Sequence, residues 1–503
     1  MPIYLAKYAR MKGDDFRKYP LRQFLFICPE FVVISTILFL LYFPQHGTGN
    51  FQEKDIYQCK HDKTEDCTMN NQAGGNFTAL SALLLAAFAV SFFMYHSINS
   101  IGNPIFAIDF SPYYVAGKLL DSGSTADLFP LSGAELITSS KAYLDHFQHF
   151  YFPRSPLATA WLYPAAYAWI FVPLSRMDYI IAARIWFAIN SVLTCLAILF
   201  IVLARPWSGD PRFSGLRNAW IIFICLTFQP VFDNLWLGNI SALVLFCFTM
   251  SYYFLKKGWK FPAGAVFGLI VPLKFTPALF IIYYVWRREW KVVAGMLAGA
   301  IAIVAASWVT TGPAGIQAYV TLVLMQLKSG GIAAFNNQSI NGFLLHALTT
   351  GDVNGWEMVG SSQQVTLLRY LLVFILLAGV VRAMRRRPET MQDKGKGEDL
   401  DIVLLVCFMI LASPISWYHY YMLFLLPLAV VFDELLLNSL NKGRFMTFAI
   451  AYGLLVTQGF SQIRTFAPQA IQDVRVLRIM LSASFFGAVI FTLLTIILRE
   501  EAQ

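Results

Sequence analysis

Charge is what this chain lacks. Only 13% of its 503 residues are Asp, Glu, Lys or Arg, about half of the roughly 25% usual in soluble domains. That shortage excludes a soluble enzyme and a solvated disordered chain. Cysteine is scarce too, with seven in all, so a disulfide scaffold is excluded. No CxxC pair and no His/Cys cluster offers a zinc site. Cys28, Cys195, Cys225, Cys247 and Cys407 lie in apolar stretches and read as packing residues. Cys59 and Cys67 share a polar loop and would pair if it faced an oxidising compartment. A short apolar run with a cleavage site, the mark of a signal peptide, does not follow the basic residues 1–22. Internal repeats and low-complexity tracts are also missing.

What is present is apolar. Hydrophobic residues make up 57% of the chain and aromatics 16%, and the mean hydropathy is +0.57. The fold class expected is an all-α polytopic membrane protein, with about 12 spans at about 20 residues per span plus a loop. Apolar stretches fall at 23–43, 77–95, 157–173, 180–204, 218–232, 240–255, 261–272, 275–286, 291–311, 366–382, 401–413, 417–437, 445–460 and 477–498. Several are too short to cross a core of ~30 Å unaided, and 261–272 with 275–286 reads as a short hairpin.

The net charge of +9 reads as topology signal and not as a nucleic-acid surface, because the basic residues sit in short runs between spans. The runs are 1–22, Lys256/Lys257/Lys260, Arg287/Arg288/Lys291, Arg382 to Arg387 with Lys394 and Lys396, and Lys442/Arg444. The basic-poor stretches 44–76, 96–156 and 312–365 are expected to face outward. The count does not close: if 1–22 is inside and 23–43 and 77–95 both cross, 96–156 returns inside. Either one of those segments does not cross, or the N-terminus is outside. Pro29 and Glu30 make 23–43 the weaker span.

Polar residues cluster at the span ends. Asp109 sits between Ile108 and Phe110, before Ser-Pro-Tyr113-Tyr114-Val-Ala-Gly117, which reads as an amphipathic helix near the membrane surface. A carboxylate in an apolar setting has a raised pKa and suits a general base for a hydroxyl; the plainer alternative is a helix cap. Trp161 and Tyr163-Pro164 read equally as interfacial anchors. Asp233-Asn234-Leu-Trp236-Leu-Gly238-Asn239-Ile-Ser241 breaks an apolar run, and Asn239 suits a sugar hydroxyl or the turn itself. Lys274, bracketed by Pro272 and Pro277, would bind a phosphate or snorkel from a span end. Asn336-Asn337-Gln338-Ser339-Ile-Asn341-Gly342 is an amide-rich patch suited to sugar hydroxyls or to turns. Ser413-Pro-Ile-Ser416-Trp417-Tyr418-His419-Tyr420-Tyr421 places a His among aromatics at a span break. With the loops outward, all these clusters share one side.

At these residues the chain resembles the glycosyltransferase C superfamily and, more closely, glycosyltransferase family 87. The resemblance rests on Asp109-Phe-Ser-Pro-Tyr-Tyr-Val-Ala-Gly117, Tyr163-Pro164 with Pro173-Leu174, Leu237-Gly238-Asn239, Lys274-Phe-Thr-Pro277, Asn337 to Gly342 and Ser413 to His419, in that order. It spans about residues 100–430. Asn239 stands where relatives commonly have Gln. The resemblance implies a bundle of about 12–13 transmembrane helices in the plasma (inner) membrane, with extracytoplasmic loops bearing the active site. The domains read as 1–95, an N-terminal tail with two apolar segments; 96–437, the catalytic core; and 438–503, C-terminal helices.

It also implies an inverting hexosyltransferase that takes a sugar, mannose by family, from polyprenyl phosphate to an extracytoplasmic glycan or glycolipid hydroxyl. Asp109 would be the base. Lys274 and His419 would hold the donor phosphate. Tyr113, Tyr114, Tyr163, Asn239, Gln338, Asn341, Ser416 and Trp417 would line the sugar and acceptor sites. No cofactor, nucleotide donor, nucleic acid or obligatory metal is expected. The alternatives are a transporter or lipid-linked saccharide flippase, which would carry mid-span charges in matched halves, and an O-antigen ligase or polymerase, which would centre on Arg and His in a large outward loop. Residues 312–365 hold His346 and no Arg.

Overall fold

The computed structural model describes residues 65–101, 106–129, 161–274, 276–328, 331–355, 359–385, 391–437, 441–457 and 474–501, with side chains except at 65–77, 212, 323–328 and 391–394. The segment 23–43 and Cys59 lie outside them. The described chain is helical throughout, and its only extended pairing is one backbone bridge between Asn337 and Trp417.

Six of the described helices are long and apolar enough to cross a membrane. They belong to α1 (Glu65–Ile101), α4 (Tyr179–Ala204), α10 (Trp290–Lys328), α12 (Gln363–Arg385), α14 (Tyr418–Leu437) and α17 (Ala483–Glu501). A seventh span is α5 (Ser214–Leu226) with α6 (Gln229–Leu237), bent by 48°. Pro230 in the first turn of α6 explains the bend, since its ring cannot continue the preceding helix. The shorter helices include α2 (Ser111–Asp121), α3 (Ala165–Ser175), α7 (Ser241–Lys256), α8 (Lys260–Gly268), α9 (Thr276–Trp286) and α11 (Ile340–Leu348). The chain also forms α13 (Met391–Ala412), α15 (Lys442–Val456) and α16 (Arg475–Met480). Against the about 12–13 spans expected from the sequence, the described residues hold six helices able to cross, or seven with the bent pair, and the remaining described helices fail that test. α14 is the most enclosed span, whereas α1 and α12 turn most of their surface outward, as lipid-facing helices do.

The bundle has two chemically different ends. At one, buried ion pairs lock helix termini together. Arg205, just past α4, pairs with Asp399, Asp433 and Glu434. Arg217 of α5 also pairs with Asp433, and Lys256 of α7 with Asp399 at 2.5 Å. Asp401 of α13 takes Arg287 and, at 2.7 Å, Arg499 of α17. The sequence reading found no Asp-x-Asp motif, but Asp399-Leu400-Asp401 is one; here it is a tie between helix ends. Every basic run from Lys256 to Arg444 borders this end. The other end carries Asp109, Ser241, Lys274 and His419. Ser241 and Lys256 are fifteen helical residues apart, so the two ends stand about 22 Å apart along α7.

α1 crosses once between these ends: its Phe88 meets Phe223 of α5 and its His96 meets Phe232 of α6. Residues 106–129 therefore belong to the Asp109 end. The start of α1 belongs to the other, and residues 44–64 lie outside the described residues.

The expected hairpin at 261–286 is present as α8 and α9. It rises from the ion-pair end, turns at Lys274 and descends to Arg287. Glycines let it sit flush on α10. A Cβ on Gly264 would strike the Val292 carbonyl, and one on Gly295 would strike that of Phe261. Gly268 against Met296 and Gly299 against Ala265 repeat the pattern one turn on. Such small-residue spacing draws backbones together where lipid gives no hydrophobic drive.

Candidate active site

Asp109 is presented by a single 3-10 turn, Ile108–Phe110. Ala107 before it is left-handed, with φ 59°, a costly state for a residue with a Cβ. Two bonds impose it: the Ala107 N–H donates to the Trp236 carbonyl at 2.7 Å, and the Tyr179 hydroxyl donates to the Ala107 carbonyl at 2.7 Å. Phe110 is fully buried and stacks on Trp186. No side chain caps α2, so the alternative that Asp109 is a helix cap does not hold. The expected helix is present as α2, and it is buried along nearly its whole length.

The end of α6 places the next residue. Gly238 has φ 72° and closes the helix by donating to Asn234 O at 3.0 Å, with the Asn239 N–H following to the same carbonyl at 3.2 Å. A Cβ on Gly238 would stand 3.0 Å from that of Phe110, so glycine suits both the turn and the contact. Asn239 then bridges two elements. Its Oδ1 accepts from Ser241 N at 3.1 Å and from Ser241 Oγ at 2.8 Å. Because a backbone N–H can only donate, the amide orientation is fixed, and Nδ2 faces Asp109 Oδ2 at 3.0 Å. Asn239 thus serves both the turn and the carboxylate.

Lys274 completes the line. Its Nζ donates to Ser241 Oγ at 3.1 Å and lies 3.1 Å from the Tyr420 ring centroid, a cation–π contact. The lysine points inward and does not snorkel. The chain Lys274–Ser241–Asn239–Asp109 is continuous. His419 approaches from α14, with Nε2 4.0 Å from Asp109 Oδ2 and Nδ1 4.0 Å from Asp233 Oδ2.

Electrostatics follow from burial. The Asp109 carboxyl is pushed up to about 6 by desolvation, against the Asn239 bond and the Lys274 charge, which both pull it down. Burial holds the Lys274 ammonium well below the ordinary lysine value, opposed by Asp109. Asp109 retains 26% side-chain exposure against 5% for His419, so the carboxylate is the accessible member.

Tyr113 accepts from Ile240 N at 3.2 Å and lies 3.3 Å from the Tyr163 hydroxyl. Burial raises both phenols, so they stay neutral beside Asp109. Tyr114 turns away and donates to Met177 O at 2.6 Å.

The amide patch forms a second assembly. Gln338 Nε2 donates to Phe335 O and Leu481 O, each at 2.7 Å, and Oε1 accepts from Phe485 N at 3.1 Å. Both amide protons are committed to backbone, leaving none for a sugar hydroxyl. Asn341 donates to Pro414 O at 3.1 Å. Ser416 is buried and donates its N–H to Asn337 Oδ1 at 3.0 Å. Half-buried Trp417 opens α14. This assembly clamps the segment before His419; it does not join the Asp109 line. Asp233, Ser241 and Tyr420 received no role from the sequence. The Asn-x-Ser spacing across the 238–241 turn was the one signal for Ser241.

A family model described as Glycosyltransferase family 87 matches residues 161–414. The chain belongs to glycosyltransferase family 87. It is a glycosyltransferase and a multi-pass membrane protein. The matched region holds Asn239, Lys274, Gln338 and Asn341; Asp109 precedes it and His419 follows it. Among curated relatives, a polyprenol-phosphate-mannose-dependent alpha-(1-2)-phosphatidylinositol mannoside mannosyltransferase of Mycolicibacterium smegmatis is 24% identical over 71% of this chain and 76% of its own. Its Mycobacterium tuberculosis counterpart is 24% identical over 64% and 70%. A pentamannoside mannosyltransferase of the same dependence from M. smegmatis is 24% identical over 63% and 71%. No solved structure matches this family 87 chain.

Proposed function

We propose that this glycosyltransferase moves a mannosyl group from polyprenyl phosphate to a hydroxyl of a glycan or glycolipid acceptor at the outer face of the plasma membrane. The donor and the acceptor class follow the relatives, whose names specify polyprenol-phosphate-mannose and phosphatidylinositol mannosides. The observation that carries the reading is the meeting of a part-exposed carboxylate, Asp109, with Lys274 and His419 at one end of the bundle. The basic runs gather at the opposite end, which supports an outward site by the positive-inside rule.

In this reading Asp109 takes the proton of the acceptor hydroxyl while its oxygen attacks the anomeric carbon. The bond from that carbon to the phosphate oxygen breaks, and the electron pair leaves with the phosphate. The leaving group changes from a phosphodiester with one negative charge to a phosphomonoester with two. Lys274 and His419 stand where that growing charge needs cationic or hydrogen-bonding partners. Direct displacement inverts the anomeric centre. Asn239 holds Asp109 toward the acceptor. Tyr113 and Tyr163 offer neutral hydroxyls to the sugar.

The test is radiolabelled transfer in membranes, with polyprenyl-phosphate mannose offered against a nucleotide sugar. The lipid donor is the one expected to label the acceptor. Asp109→Asn is expected to abolish transfer while its thermal midpoint stays equal or rises, since an ionised carboxylate at this site is disfavoured by burial. Transfer at the wild-type rate by that variant overturns the assignment of the base.

A further inference from the structure

His419 is held between two carboxylates, and only one of them has a place in the chemistry above. Its Nε2 looks toward Asp109 and its Nδ1 toward Asp233, both at 4.0 Å. The ring is almost completely buried, and neither nitrogen has a hydrogen-bond partner among the described residues. A buried imidazole in that state is costly. Asp233 is itself buried and belongs to α6, the helix whose end sets Gly238 and Asn239. Its Oδ1 accepts from Trp236 Nε1 at 3.0 Å, which fixes the carboxylate and leaves Oδ2 as the atom nearest His419. The other polar groups facing the ring are Lys274, from the α8–α9 turn, and Tyr420, set edge-on at 4.6 Å between ring centroids.

We propose that Asp233 is a positioning residue for His419, holding its Nδ1–H on the α6 side so that Nε2 is presented to the donor phosphate beside Asp109. This deepens the function proposed above and rests on it. The logic is that of a carboxylate behind a working imidazole. The carboxylate selects the tautomer and stabilises the ring when its second nitrogen carries a proton toward an anion. A separation of 4.0 Å is long for a hydrogen bond, but such bonds tighten when substrate is bound. Glycosyl transfer makes the demand: the phosphate gains a full negative charge as the sugar leaves, and a ring free to rotate would meet it poorly.

A competing role for the carboxylate is to tether Trp236. The two roles separate by substitution. Asp233→Asn keeps an oxygen for Trp236 Nε1 and removes the charge facing Nδ1. Trp236→Phe removes the tether and keeps the charge. With purified full-length enzyme and polyprenyl-phosphate mannose, Asp233→Asn is expected to lower kcat about 10–100-fold, the range typical of partners that orient a working histidine, with donor KM changed less than about threefold. Trp236→Phe should stay within about threefold of wild type. His419→Ala should lose as much as Asp233→Asn, and the double variant should lose no more than His419→Ala alone, because the two act as a unit. If Asp233→Asn does not accumulate as folded protein, Asp233→Ser enters the same cycle and Asp233→Glu, which restores the charge, should recover activity over it. A wild-type kcat for Asp233→Asn, or losses that multiply in the double variant, overturns the proposal. Asp109→Asn is measured alongside. An inactive Asp109→Asn beside a fully active Asp233→Asn overturns this inference alone, whereas an active Asp109→Asn overturns the reading beneath it.

Discussion

Lys274 Nζ stands 3.1 Å from the centre of the Tyr420 ring and, at the same distance, donates to Ser241 Oγ. One ammonium thus joins the α8–α9 turn, the start of α7 and the start of α14. It faces an aromatic ring, a hydroxyl and, through Asn239, the Asp109 carboxylate. A half-buried lysine with so few protein counter-charges is well placed to take an anion from outside the chain.

Lys274→Ala is therefore expected to raise the donor KM at least tenfold, read from transfer rates at varied polyprenyl-phosphate mannose. Lys274→Arg should not restore it, because the planar guanidinium does not fit a site shaped around a point charge over a ring. A donor KM within twofold of wild type for Lys274→Ala would remove the lysine from the phosphate site.

The acid limb of the pH profile should report Asp109. Its pKa of about 6 is raised by burial and held down by the Asn239 bond and the Lys274 charge. The ionised form is the base, so kcat/KM should fall as pH drops through about 6. Asn239→Ala removes a stabiliser of the ionised form, so the limb should move to higher pH. The sign checks against Lys274→Ala, which should move it the same way. A limb displaced downward in either variant contradicts the arrangement.

Gly238→Ala tests the turn that carries Asn239. The left-handed φ and the 3.0 Å approach of a new Cβ to Phe110 both oppose alanine. The backbone strain alone is worth about 1–2 kcal/mol. The expected result is a lower thermal midpoint together with a loss of kcat, because Phe110 is adjacent to the base.

The glycine interlock should fail differently. Gly264→Leu or Gly268→Leu would force α8 off α10, and the yield of monodisperse protein in detergent should drop sharply. Substitution at Gly360, which a Cβ would leave in open space, serves as the control and should be neutral.

Arg217 and Asp433 are both almost fully buried, and Arg217→Met would leave Asp433 with Arg205 alone, so the cost stays below the about 3–5 kcal/mol of a buried charge left with no partner. Arg217→Met should lower the thermal midpoint, and the donor KM of the surviving folded fraction should remain at the wild-type value.

Much of this was written in the chain. Basic runs mark one end of the bundle, and Asp109, Asn239, Lys274 and His419, each at a break in an apolar stretch, meet at the other. Breaks in membrane helices need a local reason, so polar residues there carry information. The amide patch misled because composition says what an amide can bond, not which way it turns: Gln338 faces backbone on three sides. Asp233 passed unnoticed because its importance lies in a partner 186 positions away in number, His419. The burial of α2 was not legible because it comes from packing against α3, where Gly117 sits on the Phe171 carbonyl and Tyr113 stacks on the Phe171 ring.

The salt-linked floor of the bundle has a consequence for anyone reading variants of this enzyme. Helices α4, α5, α7 and α14 are fastened below by arginines and carboxylates, and their upper tips, or the chain running on from them, carry the reacting groups. Loosening a fastening tilts a tip, much as a post moves most at the end away from the ground. Damage to chemistry can therefore originate about 22 Å away, at the far end of α7.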